Sequence, residues 1–333
     1  MTDYIHFYKE NKYLKLPKIV QIEITNTCPL NCPQCYKSLT PKNMDKYKFM
    51  KIIDECAKIG VGSIMINGGE PMVHEDFIEM IKYASRKNII TYCFLSGFGI
   101  NKDIIQQLEN CKISLSISLN GITKKVNSLS RDGYKYSVNA INLLKDSKIN
   151  WGINWVARHD NITDFNNLVN YAVKKKASFI NIIANKINGK DLLSPMNYAD
   201  YNLLKNYIEK NQNNIDIRVE SCFSIMNAFM GVKTSPLFKG CMAGILACFI
   251  DVNGNYSPCS HLHYPEKHKN MTEYWKNSSV LKKLRNINLK SNEYCRNCKR
   301  NDNCRFCRSV SYPTSVDFDI GFTHCPVFEK INS

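Results

Sequence analysis

The chain has 333 residues, of which 44% are hydrophobic, enough for one large domain and a smaller one with buried cores. No stretch approaches the roughly 20 apolar residues of a membrane span. The N-terminal segment is charged, unlike a signal peptide, so we expect a cytoplasmic protein without a membrane partner. The formal net charge of +16 comes from lysines spread along the chain without interleaved aromatic residues. This pattern argues against a nucleic-acid partner and suits an acidic substrate or an electron-donor protein.

The first two-thirds of the chain alternates between strand-like and helix-like patterns. Val20, Ile22 and Ile24 alternate with polar residues, as one buried face of a strand requires. Strands are predicted for residues 19–25, 63–66, 89–95, 113–119, 149–156 and 179–183. Helices are predicted for residues 44–59, 76–86, 102–110, 136–146, 164–176 and 198–209. This alternation requires parallel pairing with right-handed crossovers, which predicts an α/β fold with a partial (β/α)6 barrel.

The chemistry of such folds lies at the C-terminal ends of the strands. Two polar segments fall there, at residues 25–36 and 67–71. After about Cys222 the periodicity fades, and Gly, Pro, Asn and Cys become frequent, which predicts a loop-rich domain held by metal rather than by a large core. We therefore predict an N-terminal extension over residues 1–17, a barrel over 18–222 and a metal-binding domain over 235–333.

Fifteen cysteines are many for a chain without an export signal. Disulfides rarely persist in a reducing cytosol, so clustered cysteines predict metal ligands. Three lie within residues 28–35 and eight within 241–325, whereas Cys56, Cys93 and Cys111 are isolated and are interpreted as small buried hydrophobic residues. Cys222 follows a further strand-like segment and is the candidate catalytic residue, as a hydrogen donor or as an additional ligand.

Cys28, Cys32 and Cys35 follow the first predicted strand directly, separated by three and then two residues. Three thiolates can hold one face of a cubane iron–sulfur cluster and leave the fourth iron open to a cofactor. Zinc, or a cluster with a remote fourth cysteine, is the alternative. With Tyr36 directly after the last cysteine, the segment resembles the signature of the radical S-adenosylmethionine (SAM) superfamily.

A second motif strengthens this resemblance. Gly68, Gly69, Glu70 and Pro71 match a Gly-Gly-Glu-Pro segment with which the superfamily binds the amino group of SAM. Glycines permit a close backbone approach, and a carboxylate pairs with an ammonium. The resemblance assigns further SAM contacts to Tyr36, Ser96, Ser118 and Arg131.

The residues after Ser118 are similar to the superfamily's Ser-x-Asp-Gly segment, with Asn120 in place of Asp. The resemblance implies that the reduced cluster donates an electron to SAM, which yields methionine and a 5′-deoxyadenosyl radical that abstracts hydrogen from the substrate. The cofactor carries this chemistry, and the protein supplies position and excludes water. A flavodoxin- or ferredoxin-type electron donor is expected.

Cys295, Cys298, Cys304 and Cys307 are separated by two, five and two residues. This spacing resembles the core of a SPASM domain, an auxiliary iron–sulfur extension of many peptide-modifying members. The resemblance assigns an inner 4Fe–4S cluster to Cys241, Cys248, Cys259 and Cys307. It assigns an outer one to Cys295, Cys298, Cys304 and Cys325, so that three 4Fe–4S clusters are expected in all. Ligation by four thiolates leaves no iron for the substrate, so these two clusters would relay electrons. A pair of structural zinc sites is the alternative.

The auxiliary domain implies a ribosomally synthesised peptide as substrate, to be crosslinked through a thioether or carbon–carbon bond, or epimerised. Few residues precede the first strand, so either a separate leader-recognition protein or a leaderless mode of binding is expected. A sulfatase-maturing, formylglycine-forming enzyme is an alternative, although Ser260 stands where such enzymes usually have Asp. A small-molecule dehydrogenase is another. A non-catalytic iron–sulfur electron carrier is disfavoured, because a carrier needs no amino-acid clamp such as residues 68–71.

Overall fold

The computed structural model describes residues 13–37, 40–186, 196–231, 240–287, 295–298, 305–311 and 325. The strands in these ranges are β1 (Ile19–Thr25), β2 (Ser63–Gly68), β3 (Ile90–Leu95), β4 (Ile113–Ser118), β5 (Asn150–Ala157), β6 (Phe179–Ala184), β7 (Asp216–Val219), β8 (Ala247–Ile250) and β9 (Tyr256–Ser257). The helices are α1 (Lys46–Ile59), α2 (Phe77–Arg86), α3 (Lys102–Leu108), α4 (Lys124–Ser128), α5 (Tyr134–Leu144), α6 (Phe165–Lys174), α7 (Tyr198–Asn211), α8 (Ser224–Phe229), α9 (Met271–Asn277), α10 (Ser279–Arg285) and α11 (Arg308–Ser311). None of the helices in the described part of the chain is long and apolar enough to cross a bilayer.

These strands form one sheet in the order β7-β6-β5-β4-β3-β2-β1-β8-β9. Neighbours from β7 to β8 pair in parallel, and β9 returns antiparallel along β8. The sheet ends at two open edges, which confirms the predicted α/β fold with a partial barrel. Two strands extend the expected six-stranded unit, with β7 added beside β6 and β8 added beside β1.

Helix α1 illustrates how local sequence sets an element. The Asp45 side chain accepts a hydrogen bond from the backbone N–H of Lys48 at 2.9 Å and caps the first turn. Gly60 ends the helix with φ of 73°, a left-handed conformation that favours glycine. The buried face is the predicted one and consists of Phe49, Ile52, Ile53 and Cys56.

The described residues of the C-terminal part include a strand and two helices that pack against the barrel. β8 is paired with β1, with Ala247 opposite Ile19, and all four of its residues are buried. Helices α9 and α10 contribute to the same hydrophobic core as the barrel. Trp275 in α9 also donates a hydrogen bond to the carbonyl of Leu14 at 2.8 Å. Backbone pairing and apolar packing therefore join the described C-terminal residues to the barrel, because a strand that is apolar on both faces can be buried inside a sheet.

The parallel pairing places the carboxyl ends of β1 to β8 at one edge of the sheet. Residues at or just beyond these ends include Cys28, Gly68, Ser96, Ser118, Lys186 and Cys222. The edge is thus the part of the fold that positions the candidate functional groups.

Candidate active site

A cavity of about 370 Å³ lies at the carboxyl edge of the sheet. The first two-thirds of the chain contributes these predicted site residues to its wall: Cys28, Cys32, Cys35, Tyr36, Gly68, Gly69, Glu70, Ser96, Ser118 and Arg131. The last third contributes Cys222, Cys241, Cys259 and Cys307. Two groups of candidates that are far apart in sequence therefore face one space.

The loop that carries the first three cysteines is fixed to the segment after β4. The N–H of Asn31 donates to the carboxylate of Asp132 at 3.2 Å. The N–H of Gln34 donates to the carbonyl of Ser130 at 3.1 Å. These bonds orient the loop without using its thiols, which remain available as ligands.

The thiol of Cys28 is affected by burial and by its charged neighbours. Burial raises the pKa of Cys28 to about 11, with smaller contributions in the same direction from the charges of Glu70, Cys32 and Cys35. A hydrogen bond with the backbone of Leu30 acts in the opposite direction. Because a cluster is held by thiolates, cluster binding here would release protons.

The glycines of the second motif pack against the entry to the cysteine loop. A Cβ added at Gly68 would lie 2.7 Å from the carbonyl oxygen of Thr25. One added at Gly69 would lie 2.9 Å from Cβ of Cys28 and closer still to the carbonyl of Thr27. The N–H of Gly69 also donates to the carbonyl of Thr25 at 2.8 Å. The two motifs therefore form one packed unit, and the glycines are needed for this contact whatever binds in the cavity.

Glu70 presents a buried carboxylate to the cavity. It is 2% exposed and accepts hydrogen bonds from the N–H of Ser96 at 2.8 Å and of Met72 at 3.3 Å. Burial raises its pKa, whereas these bonds and the charge of Arg131 lower it. The Nε atom of Arg131 is buried and has no hydrogen-bond partner among the described residues. A carboxylate and a guanidinium thus offer complementary charges to a zwitterionic ligand.

The other predicted SAM contacts take different positions. The Ser137 hydroxyl lies 2.8 Å from the carbonyl of Ser96 and 2.9 Å from that of Ser118, and it can donate to either, which holds the two strand ends together. Pro71 lies outside the cavity wall and begins a short 3-10 helix, Pro71–Val73, behind Glu70. Its ring supports the turn, since proline is preorganised for a first helical position.

Tyr36 lies between the cysteine loop and the loop after Cys259. Its ring packs against His261 with the ring centroids 3.8 Å apart. Burial raises the pKa of Tyr36 to about 12, and a hydrogen bond with Ser260 opposes this. Tyr36 therefore connects the two cysteine-bearing loops.

Asn120 is a structural residue of the site whose role the motif comparison did not indicate. Its amide donates to Gln34 at 2.9 Å and to the Ser130 hydroxyl at 2.8 Å, and its Oδ1 accepts from the N–H of Val156 at 3.1 Å. It joins the cysteine loop to β4 and β5. An amide suits this position, because it provides donors as well as an acceptor.

Sequence reasoning also missed Lys186, which follows β6 and reaches the cavity wall. Its ammonium lies 3.6 Å from the sulfur of Cys222. The charges of Cys222, Cys307 and Cys259 raise its pKa and outweigh the opposing effect of burial, which is the largest single contribution. Its place just beyond the carboxyl end of a strand was the available signal, but lysines are too frequent in this chain for it to stand out.

The predicted auxiliary cysteines are only partly brought together. Cys248 is fully buried in β8 and packs in the hydrophobic core, away from the cavity that Cys241, Cys259 and Cys307 line. The expected inner set is therefore not assembled as predicted, because alternate residues of a strand face opposite sides and Ala247, not Cys248, faces the cavity.

The predicted outer set lies outside the cavity wall as far as it is described. The N–H of Cys298 donates to the carbonyl of Cys295 at 3.1 Å, so these two share a turn, and Cys325 is half-buried. Cys304 lies outside the described residues. No group of three or more His, Cys, Asp or Glu side chains in the described ranges is arranged to hold a single metal ion.

Comparison with known proteins places this site in context. The AdoMet-dependent heme synthase of Methanosarcina barkeri is 23% identical over 91% of this chain and 94% of its own length. The PqqA peptide cyclase of Granulibacter bethesdensis is 22% identical over 91% of this chain and 85% of its own length.

Solved structures of Streptococcus suis SuiB share the fold. SuiB bound to S-adenosylmethionine superposes with a TM-score of 0.80 at 19% identity, covering 97% of this chain and 80% of SuiB. SuiB bound to its precursor peptide SuiA gives a TM-score of 0.78 at 19% identity, covering 95% and 79%. Residues 22–172, which include the cysteine loop and Glu70, match the family model of the radical SAM superfamily. The chain therefore contains a radical SAM domain over residues 22–172, and it is similar to peptide-maturing proteins that share this fold.

Proposed function

We propose that this radical SAM enzyme removes a hydrogen atom from a ribosomally synthesised peptide bound in the cavity. The observation that carries the proposal is the shared cavity, which the first cysteine loop and the C-terminal cysteines both face. A substrate in this space would be within reach of both groups. That arrangement suits a reaction that begins with hydrogen abstraction and ends with the loss of an electron, as the formation of a crosslink does.

The residues of the cavity fit SAM and a 4Fe–4S cluster. Cys28, Cys32 and Cys35 would hold the cluster. Glu70 would accept the ammonium of SAM, and the unpartnered Nε of Arg131 would meet its carboxylate. When bound, this pair supplies the radical that abstracts hydrogen. The remaining proposed contacts are Tyr36, Gly68, Gly69, Ser96 and Ser118.

The peptide substrate is supported by two of the relatives. One is named a PqqA peptide cyclase, and SuiB has been solved with a precursor peptide. We infer that this chain crosslinks or epimerises a peptide, with two auxiliary clusters held by its C-terminal cysteines. A separate leader-recognition protein and a flavodoxin- or ferredoxin-type electron donor complete the proposed system.

Lys186 favours a second candidate substrate, a heme precursor. A heme precursor carries carboxylates, and the ammonium of Lys186 at the cavity wall is a suitable partner for one of them. The relative from Methanosarcina barkeri is named an AdoMet-dependent heme synthase, and it covers this chain as fully as the peptide cyclase does.

The experiment that separates these candidates is mass spectrometry of substrates after anaerobic turnover. The reconstituted enzyme is incubated with SAM, a reductant and either the peptides encoded by neighbouring genes or carboxylated heme precursors. Loss of two hydrogen atoms from a peptide supports crosslinking, and gain of one deuterium in D₂O supports epimerisation. Cys28→Ala is the control that should abolish 5′-deoxyadenosine release with every substrate. If only the heme precursor changes mass, the peptide proposal is wrong.

A further inference from the structure

Four cysteines from residue 222 onward line the cavity. They are Cys222, Cys241, Cys259 and Cys307. Three of them belong to the ligand set expected for the inner auxiliary cluster, whereas Cys222 does not. The place of the expected fourth member, Cys248, is in the hydrophobic core.

Backbone contacts hold three of these cysteines in place. The N–H of Cys241 donates to the carbonyl of Arg305 at 2.6 Å, which sets Cys241 beside the chain that continues to Cys307. Ser224, two residues after Cys222, donates its hydroxyl to the same carbonyl at 3.3 Å. One carbonyl group thus anchors the segments that carry Cys222, Cys241 and Cys307.

A glycine makes this close approach possible. A Cβ added at Gly240 would lie 2.8 Å from Cβ of Ser224 and would collide with the carbonyl of Arg305. With φ of 129°, Gly240 also has a conformation that other residues rarely adopt. The meeting of the three segments is therefore built into the sequence.

Packing places Cys259 beside Cys241. Both residues pack against the same small hydrophobic cluster, which Ala243, Leu262 and Leu284 form. Together with the backbone contacts, this packing brings the segments of all four cysteines to one part of the cavity wall.

The four thiols have cationic and hydrogen-bonding groups nearby, which are the groups that stabilise thiolates. The ammonium of Lys186 lies 3.6 Å from the sulfur of Cys222, and Lys186 lines the same cavity as Cys259, Cys307 and the acidic Glu220. The backbone N–H of Leu262 points at the sulfur of Cys259 at 3.3 Å. Hydrogen bonds to the sulfur atoms and compensating charge stabilise a buried thiolate cluster.

Cys248 has the surroundings of a core residue. It is fully buried in the same hydrophobic core as Cys56 of helix α1, and it does not line the cavity. To reach the cavity it would have to leave β8, which is paired on both sides with β1 and β9.

We propose that Cys222 is the fourth ligand of the inner auxiliary cluster, together with Cys241, Cys259 and Cys307, and that Cys248 is a structural residue. This inference rests on the proposed function, which includes auxiliary clusters. It also replaces the alternative role of Cys222 as a hydrogen donor to the substrate, because a thiolate bound to iron has no hydrogen to give.

The test compares Cys222→Ala with Cys248→Ala in a parent that lacks the first cluster. The parent carries Cys28→Ala, Cys32→Ala and Cys35→Ala, so that all remaining iron belongs to auxiliary sites. After anaerobic reconstitution, we expect Cys222→Ala to lose about four iron per chain or to retain a cluster with an altered Mössbauer and EPR spectrum. We expect Cys248→Ala and the core control Cys56→Ala to keep the parent's iron content and spectra.

Thiol alkylation of the unmutated protein provides a second measurement that does not depend on the folding of variants. Cys222 should react with N-ethylmaleimide in the metal-free protein and be protected after reconstitution. Cys248 should be protected in both states, because the core covers it.

Two results would overturn the assignment in different ways. The role of Cys222 would be contradicted if Cys248→Ala lost iron while Cys222→Ala kept all of it. Alkylation of Cys222 in the reconstituted protein would also contradict that role. Neither result would affect the rest of the proposed function. A parent that binds no iron at all would contradict the auxiliary clusters themselves, and with them this part of the proposed function.

Discussion

Glu70 is a buried carboxylate whose folded environment favours the protonated form. Burial raises its pKa above the ordinary carboxyl value, despite hydrogen bonds from Ser96 and Met72. The folded chain therefore holds this proton more tightly than the unfolded chain does. The contribution of Glu70 to the unfolding free energy thus falls as the pH rises from the ordinary carboxyl pKa through the raised one. A bound ammonium would reverse the effect by pairing with the carboxylate.

This leads to a prediction on the pH dependence of SAM binding. If Glu70 pairs with the ammonium of SAM, the affinity should fall as the pH is lowered through the raised pKa, because the protonated carboxyl has no charge to offer. Glu70→Gln should remove this pH dependence and weaken binding by about 2–5 kcal/mol, the cost of removing one partner of a buried charge pair. Isothermal titration of the oxidised, reconstituted enzyme with SAM at a series of pH values measures both effects.

Glu55→Gln is the matched control. Glu55 is also a partly buried carboxylate with a raised pKa, but it accepts a hydrogen bond from Met271 in the core rather than facing the cavity. Its variant should keep the affinity and pH profile of the unmutated enzyme. Equal losses in both variants would show that Glu70 acts through stability and not by contact with SAM.

Cysteine spacing predicts which residues reach the cavity only where the chain near them is a loop. It indicated Cys28, Cys32 and Cys35, which all reach the cavity. Spacing could not show that Cys248 lies outside the cavity. Cys248 is in a strand, and spacing does not tell which face of that strand is turned to the cavity and which to the core. It left Cys222 ambiguous, since the partners of that thiol lie in segments that only the tertiary structure brings near.

At the level of elements, the end of β2 and the start of the cysteine loop depend on each other through two glycines. Gly69→Ala should destabilise the protein by roughly 1–3 kcal/mol, because its methyl group would overlap the carbonyl of Thr27 and shift the backbone at Cys28. The loss should be visible in thermal melts of the metal-free protein, where no cofactor can contribute.

Gly62→Ala provides the comparison for this prediction. Nothing lies within 4 Å of a Cβ at Gly62, so this variant should melt within experimental error of the unmutated protein. The melting temperature of metal-free Gly69→Ala could equal that of the unmutated protein while its affinity for SAM is lower. Gly69 would then be required for SAM binding and not for the contact between the two motifs.

The strands of the barrel were predictable, but β8 was not. β1 shows the alternation of apolar and polar residues over residues 20–25, and its predicted bounds are the observed ones. β8 has four residues that are all buried, so it has no alternation to detect. Its parallel pairing with β1 joins opposite ends of the sequence, and periodicity contains no information on such a partner.

For the molecule as a whole, the shared core predicts that the barrel does not fold well alone. A fragment ending at residue 231 would lack β8 and helices α9 and α10, which leaves one edge of β1 unpaired and removes the partner of the Leu14 carbonyl. We expect this fragment to aggregate or to melt without a cooperative transition, because an exposed central strand is a template for non-native pairing. Circular dichroism and light scattering of the fragment and of the full chain measure the difference.

An independent barrel would contradict this expectation. If the fragment is monomeric and melts as cooperatively as the full chain, then the predicted boundary at residue 222 marks a separate folding unit. The pairing of β1 with β8 would in that case add to an already stable sheet.

The pairing of β1 with β8 also bears on how the protein is made. Ile19 leaves the ribosome early, whereas its partner Ala247 is synthesised much later. At about 5–20 residues per second, β1 waits for more than ten seconds with one edge open, although β2 covers the other edge sooner. During that interval the first cysteine loop and its glycine turn are already complete. Iron–sulfur assembly at the first site could therefore begin on the nascent chain, before the second set of cysteines exists.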